Sequence, residues 1–277
     1  FMPGTGEIHL DPGTHDDPDA GYRSRYSHEE EWCSPNYYAV NLLDYGVKAE
    51  MTSSLHSGIL RFTYPEAEDS FILLDLDHTL WWNCAWSNIR IEDEHTLTGY
   101  KLVKGWGPER HIYFTAEFSK PIEDFGIMQD GGLVHYNTKR FRSSREAWGK
   151  GIKFWLKFPT SENEQVTVKV AISSVDADGA RGNLREIAGL DFEQVRLAGE
   201  RKWEKELSRF NVEGTTEQKE TFYTSVYRCF LCPFVFQDAD GRFRRLDKSI
   251  GRAEGFTNYT TFSLWDTYRA FHPLLNL

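Results

Sequence analysis

Up to about Ser174, apolar side chains recur on every second position. Tyr38, Val40 and Leu42 form one such row, Leu60, Phe62 and Tyr64 a second, and Val166, Val168, Val170 and Ile172 a third. A period of two is that of a strand with one face in a core. Asp44-Tyr45-Gly46 and Asp130-Gly131-Gly132 read as hairpin turns between strands of this kind. Many strands joined by short polar turns, with no helix between them, predict a β-sandwich or barrel.

Past Ser174 the period changes. Phe192, Val195, Gly199, Trp203, Leu207 and Phe210 step by three or four, which predicts an amphipathic helix. Thr215 with Gln218 three residues on is a capping-box start. Phe222, Tyr223, Val226, Tyr227, Phe230 and Leu231 continue a second helix, which Pro233 ends. Asp, Gly and Arg cluster between Val175 and Leu190 and mark the change. The chain therefore divides into a β-sandwich domain, residues 1–185, and a helical segment, residues 186–277.

Charge and composition narrow the function. The net charge is −10, which argues against a nucleic-acid partner, because phosphate binding needs a basic face. From Glu186 onward 13 Lys and Arg stand against 14 Asp and Glu, so −9 of the charge lies before it, consistent with two domains. Nine Trp in a chain that is 15% aromatic fit a carbohydrate binder and a β-rich core equally. No stretch is long and apolar enough to span a membrane, and no signal peptide is visible.

Several groupings carry a chemical and a structural reading. Asp11, Asp16, Asp17 and Asp19 share a loop with Gly13 and Pro18; the spacing is not that of an EF-hand, so a solvated acidic loop is expected rather than a calcium site. Glu29-Glu30-Glu31 reads as an exposed face. Trp81, Trp82 and Trp86 could line a groove or plug the sandwich, and a core or interface place is expected. Cys229 and Cys232 form a C-x-x-C without a second pair, so packing thiols are expected rather than zinc or redox chemistry. Cys33 and Cys84 can pair only if the fold brings them together. There is no H-E-x-x-H, G-x-S-x-G or phosphate-cradling loop.

The most specific wording is Ser263-Leu264-Trp265-Asp266-Thr267-Tyr268-Arg269-Ala270-Phe271-His272-Pro273-Leu274-Leu275. Trp265, Asp266 and Arg269 fall within one helical turn. An indole face, a carboxylate and a guanidinium so placed can hold a sugar, or the last two can form a structural ion pair at a helix start. The wording resembles glycoside hydrolase family 92, the calcium-dependent exo-α-mannosidases. Other stretches match in order. They are Gly4-Thr5-Gly6, Tyr26 to Glu31 with Ser34 to Tyr38, Asp44 to Thr52, Gly105-Trp106 with Tyr113 to Pro121, and Val168 to Ser174 with Ala180 to Leu184. Glu7 departs from the pattern, standing where many members place cysteine, and so bears on linkage specificity.

The resemblance implies a galactose-mutarotase-like supersandwich, followed by the linker helix and first helices of an (α/α) barrel. It implies an inverting exo-α-mannosidase acting on terminal α-linked mannose of N-glycans or mannan, with a calcium ion and a secreted, periplasmic or cell-surface home. Carried over, Trp265 shapes the mannose pocket, Asp266 and Arg269 meet sugar hydroxyls, and Thr5, Gly6 and Glu7 approach from the sandwich side. The catalytic acid, the base and the calcium ligands are expected beyond Leu277. Two other readings stay open. One is a non-catalytic sugar-binding module. The other is a phosphorolytic enzyme of similar plan, which would need a basic phosphate pocket that the sequence does not display.

Overall fold

The structure, a computed structural model, describes residues 1–277 except 15, 81, 106–108, 134–144, 270 and 277. The first strands are β1 (Met2–Thr5), β2 (Glu31–Ser34), β3 (Tyr37–Leu42), β4 (Val47–Ser53) and β5 (Ser57–Tyr64). Next come β6 (Ala67–Asp75), β7 (Asn83–Ile91), β8 (Thr96–Lys104), β9 (Arg110–Phe118) and β10 (Asp124–Gln129). Then follow β11 (Gly132–Leu133), β12 (Glu146–Gly149), β13 (Lys153–Thr160) and β14 (Glu164–Ser173). They form a five-stranded sheet, order β1-β6-β13-β10-β11, and a nine-stranded sheet, order β12-β7-β8-β9-β14-β5-β4-β3-β2. All the pairings are antiparallel, as the expected sandwich requires.

The period-two rows supply the core between the sheets. Val40, Phe62, Tyr64, Val166 and Val168 from the larger sheet meet Ile72, Leu74, Phe154 and Leu156 from the smaller. Tyr64 is tolerated there because its hydroxyl donates to the Phe71 carbonyl at 2.8 Å. Ile172, last of its row and one residue from the end of β14, is exposed instead. Both expected turns are present. Gly46 (φ 63) turns β3 into β4, and Asp130 (φ 51) and Gly131 (φ 77) turn β10 into β11, all in the left-handed region that favours Gly, Asn and Asp.

The outer face of the larger sheet receives the helices. Helix α1 (Ala177–Leu184) starts at Asp176, whose side chain accepts from the Gly179 amide at 2.7 Å, and lies on β14 and β9. Gly179 is a requirement: a Cβ there would stand 2.2 Å from Asp238 Oδ2. That buried carboxylate accepts from Ser173 Oγ at 2.7 Å and Asn183 Nδ2 at 3.0 Å. Helix α2 (Phe192–Leu207) opens with a capping box of Asp191 and Gln194 and packs Phe192 and Val195 against Ile59, Ala171 and Ile187.

Arg61 holds α2 in place. It lies directly opposite Glu50 in the β4–β5 register and reaches it through Nε and Nη2, at 2.8 and 2.9 Å. It also pairs with Glu193 at 3.0 Å and sets its guanidinium 4.0 Å from the Phe192 ring centre. Glu50 is only 3% exposed. Burial pushes its carboxyl up, but hydrogen bonds from Arg61 and Tyr37 outweigh this and bring it down to about 2.

Helix α3 (Thr216–Cys229) begins at the expected Thr215–Gln218 box. It ends sooner than its apolar period predicts. Phe230 and Leu231 follow it in tight turns, bonding back to Tyr227 and Arg228 at 3.0 and 3.3 Å ahead of Pro233. Trp203 of α2 meets Tyr227 of α3 edge-on at 4.8 Å. A hairpin of β15 (Arg242–Arg244) and β16 (Ile250–Arg252) and two single-turn helices, α4 (Leu264–Thr267) and α5 (Phe271–Leu274), follow. All four cysteines are free thiols. Cys33 lies on edge strand β2 and Cys84 on β7, near the opposite edge, so the fold keeps them apart. Cys232 is exposed and Cys229 half-buried, so the C-x-x-C packs less than expected.

Replacing Arg61 by Met leaves buried Glu50 with only the half-exposed Lys48, whose Nζ lies 3.3 Å from Oε1, so chemical denaturation should show a loss of up to about 3–5 kcal/mol. Replacing both Arg61 and Glu50 by apolar residues should recover most of that loss. Recovery of nothing would show that Arg61 acts through Glu193 and Phe192 and not through Glu50.

A second pair carries a pH signature. His56 Nδ1 stands 2.5 Å from Glu186 Oε1, and the His56 amide and Ser54 hydroxyl donate to Glu186 Oε2 at 3.0 and 2.8 Å. Burial raises the Glu186 carboxyl, but the bonds from His56 and Ser54 bring it down to about 2. The hydrogen bond to Glu186 raises His56, against burial. The Glu186 contribution is full above the unfolded value, 4.5 here, and is lost as the pH falls towards 2. The His56 contribution is full below 6.5 and is lost as the pH climbs through its raised folded value. The Tm deficit of Glu186→Gln should therefore be largest near pH 5–6 and shrink on both sides. A deficit independent of pH would remove the pair from the account.

Candidate functional site

The loop at Gly4-Thr5-Gly6 is built from backbone. Strand β1 pairs with β6 so that Gly4 faces Phe71 and Thr5 faces Ser70. A Cβ on Gly4 would lie 2.3 Å from the Phe71 ring, so only glycine lets the strands close. Gly6 has φ 85 and donates its amide to the Asp69 carbonyl at 3.0 Å. The Thr5 hydroxyl donates to the Tyr45 carbonyl at 3.1 Å, which ties the loop to the β3–β4 turn. Glu7 follows, exposed. The loop is thus held at three points and offers one carboxylate outward.

Trp265, Asp266 and Arg269 lie together on the α4 turn and just after it, all exposed, Trp265 at 85%. Behind them, the Phe262 and Phe271 rings meet edge-on at 5.6 Å, and Thr267 Oγ1 lies 2.9 Å from His272 Nε2. Arg269 turns to Tyr268, with Nε 2.8 Å from its hydroxyl and the guanidinium over its ring. No ion pair joins Arg269 to Asp266 among the described residues, so the strut between them is not formed. Among the described residues nothing pairs with the carboxylate or the indole, which stand on one side of a braced turn. Among the described residues, no hydrogen bond, ion pair or ring contact links this group to Thr5, Gly6 and Glu7.

The remaining groupings resolve differently. Asp11 is taken by Lys153 Nζ at 2.8 Å, and no group of three His, Cys, Asp or Glu able to hold a metal occurs among the described residues. The triple glutamate is less free than expected. Glu31 accepts from the Tyr38 hydroxyl at 2.6 Å and lies 2.6 Å from His28 Nδ1, while Glu30 accepts from Asn41 at 3.0 Å. The cause is β2, which lays this stretch against β3. Trp82 abuts Gly105, whose place a Cβ would contest at 2.2 Å, yet both Trp82 and Trp86 remain exposed. Trp81, Trp106 and Ala270 lie outside the described residues.

Sequence reasoning missed one cleft. It has a volume of about 420 Å³ and lies between β8–β9 and α1, lined by Glu92, Thr96, Thr115, Glu117, Arg181 and Arg185 among others. Thr115 and Glu117 share a face by strand period, a signal the sequence does contain. The helix that covers them begins some sixty residues later and has no motif pointing back.

Comparison with known proteins places the chain. Residues 1–173 match the glycosyl hydrolase family 92 N-terminal domain and residues 179–277 the family's catalytic domain. The structure of the family GH92 α-mannosidase BT3965 from Bacteroides thetaiotaomicron shares 62% identity over 100% of this chain and 37% of its own, with a TM-score of 0.96. The GH92 inverting mannosidase BT2199 from the same species shares 26% over 100% of this chain and 36% of its own, with a TM-score of 0.83. An uncharacterized secreted glycosidase of Arthroderma benhamiae is 27% identical over 224 residues, 72% of this chain and 28% of that protein. The chain thus spans about a third of the length of the relatives it matches. With both halves matched in order, this chain belongs to glycosyl hydrolase family 92.

Proposed function

We propose that this chain is part of an inverting exo-α-mannosidase that removes terminal α-linked mannose from glycans. The observation that carries the reading is the braced α4 turn, which presents Trp265 and Asp266 unpartnered within a segment matched to the family's catalytic domain. A relative 62% identical has been solved with mannoimidazole, a mannose-like ligand, which supports a mannoside as the substrate class. A secreted relative supports a secreted or cell-surface home.

Inversion requires a carboxylic acid that protonates the leaving oxygen and a carboxylate that activates water on the opposite face of the sugar. Neither role is assigned to a residue of this chain. Its own residues bind and orient. Asp266 accepts from mannose hydroxyls, Trp265 walls the ring, Arg269 donates at the rim, and the Thr5–Gly6–Glu7 loop approaches the leaving-group side. A calcium ion, implied by the family resemblance, would supply a hard-cation template for sugar hydroxyls. The described residues offer it no cluster of ligands, so no step here is routed through it.

Asp266→Asn in the full-length enzyme keeps the shape and loses a charged acceptor worth roughly 1.5–3 kcal/mol, so kcat/KM on an aryl α-mannoside should fall at least about tenfold. Since Arg269 is engaged with Tyr268, Tm should stay where it was. A lowered Tm with kcat/KM within a factor of about two would make Asp266 scaffold. The 277-residue chain by itself should not turn over the same substrate. Turnover by a contamination-controlled preparation would place an acid–base pair inside it.

A further inference from the structure

The cleft under α1 continues into an aromatic strip on the same outer sheet face. Three directly opposed pairs run across the strands: Glu146 to Arg90, Arg90 to Thr98, and Thr98 to Thr115. One row over, Trp148 is opposite Asn88, with Trp86 two residues along β7 on the same face. Neighbours on the other face, Ser87, Ile89 and Ala147, are buried, so these rows point outward. Trp148 is 56% exposed and Trp86 45%. At the cleft end, Glu92 accepts from Thr98 at 2.7 Å and pairs with Arg90 at 3.4 Å and Arg181 at 3.6 Å. Thr115 lines the cleft and is 1% exposed, and its buried hydroxyl has no hydrogen-bond partner among the described residues.

Each of these features has a cost if the face stays bare. A buried unbonded hydroxyl is unfavourable, and two indoles in water expose large apolar surfaces. The polar groups between them exclude most partners. Alternating guanidinium and carboxylate leave no net field for an anion. Asn88, Arg90 and Glu146 beside the two rings are polar, and Leu102, opposite Trp86, is their aliphatic neighbour across the strand. Indole faces that stack on C–H surfaces, with bidentate donors and acceptors alongside, suit a neutral polyhydroxylated chain. The cleft volume lies within the roughly 300–1,000 Å³ usual for small-ligand sites.

We propose that this face, from the Thr115 cleft to the Trp86–Trp148 pair, is a second, non-catalytic site that holds an α-mannan chain. The choice of mannan rests on the mannosidase reading above; the site itself rests on the geometry. It would keep the enzyme on a polymer whose ends it trims.

The test uses the full-length protein, with mannoimidazole added at saturation so that the catalytic pocket is filled. Retention in a gel containing α-mannan is compared for wild type, Trp86→Ala/Trp148→Ala and Thr115→Val. Both variants should lose at least about tenfold in mannan affinity while kcat/KM on an aryl α-mannoside and Tm hold. Thr115→Val sharpens the test: removing an unbonded buried hydroxyl should leave Tm equal or higher. Unchanged retention in either variant overturns the site. So does a lowered Tm with altered aryl-mannoside kinetics in the tryptophan variant, which would mean polypeptide covers the face. A wild type that is retained through these residues yet does not cleave the aryl mannoside would sink the mannosidase reading and leave the site standing.

Discussion

The Glu50 carboxylate, closed off beneath α2, constrains everything that follows the sandwich. A charge so placed needs a cation with good geometry, and Arg61 supplies it from the facing strand by a two-pronged contact. The same guanidinium then has to satisfy its outer side, which it does with Glu193 and the face of Phe192. One side chain thereby fixes where α2 begins on the sheet. The helix is held farther along by Asn36, which donates to Thr52 Oγ1 at 2.9 Å and the Arg196 carbonyl at 3.3 Å. Gly199 makes that approach feasible, since a Cβ there would fall 1.8 Å from Asn36 Nδ2.

The strands were legible because burial on one face leaves a period that short stretches can display. Val40, Phe62, Tyr64, Val166 and Val168 read correctly for that reason. The polar seam was not legible. Lys48, Glu50 and Thr52 look like ordinary solvent-facing alternates, and they do point outward, but into a helix more than 130 residues later in the chain. Alternation specifies which face a residue is on and says nothing about what covers that face. The same gap explains Thr115. The early end of α3 has a different cause. Apolar period continues through Phe230 and Leu231, while tighter bonding at Tyr227 and Arg228 has already closed the helix.

For the candidate site, the wording carried more than the physics. Spacing placed Trp265, Asp266 and Arg269 on one turn, and the structure does keep them there. What spacing could not decide was whether Asp266 and Arg269 satisfy each other. That depended on Tyr268, whose hydroxyl and ring lie nearer to hand for the guanidinium. The left-handed Gly6 and the close-packed Gly4 were readable only as a resemblance, because a lone glycine pair gives no hint of the strand that crowds it.

Among the polar contacts that join the sandwich to the helical segment are Arg61 with Glu193, His56 with Glu186, Ser173 with Asp238 and Asp176 with Arg242. Apolar packing at the same seam, from Ile59, Ala171, Ile187 and Phe192, would hold the segment on the sheet without them. Buried polar pairs add little net stability compared with well-packed apolar groups, yet each tolerates only a narrow geometry. Their effect at this seam is therefore to select one orientation among several that packing alone would permit. The pocket proposed above, from a sandwich loop and a helical turn, would depend on that selection, because a small rotation about the seam would change how Trp265 and Asp266 stand to the Gly4–Gly6 loop while leaving the sheets and helices folded.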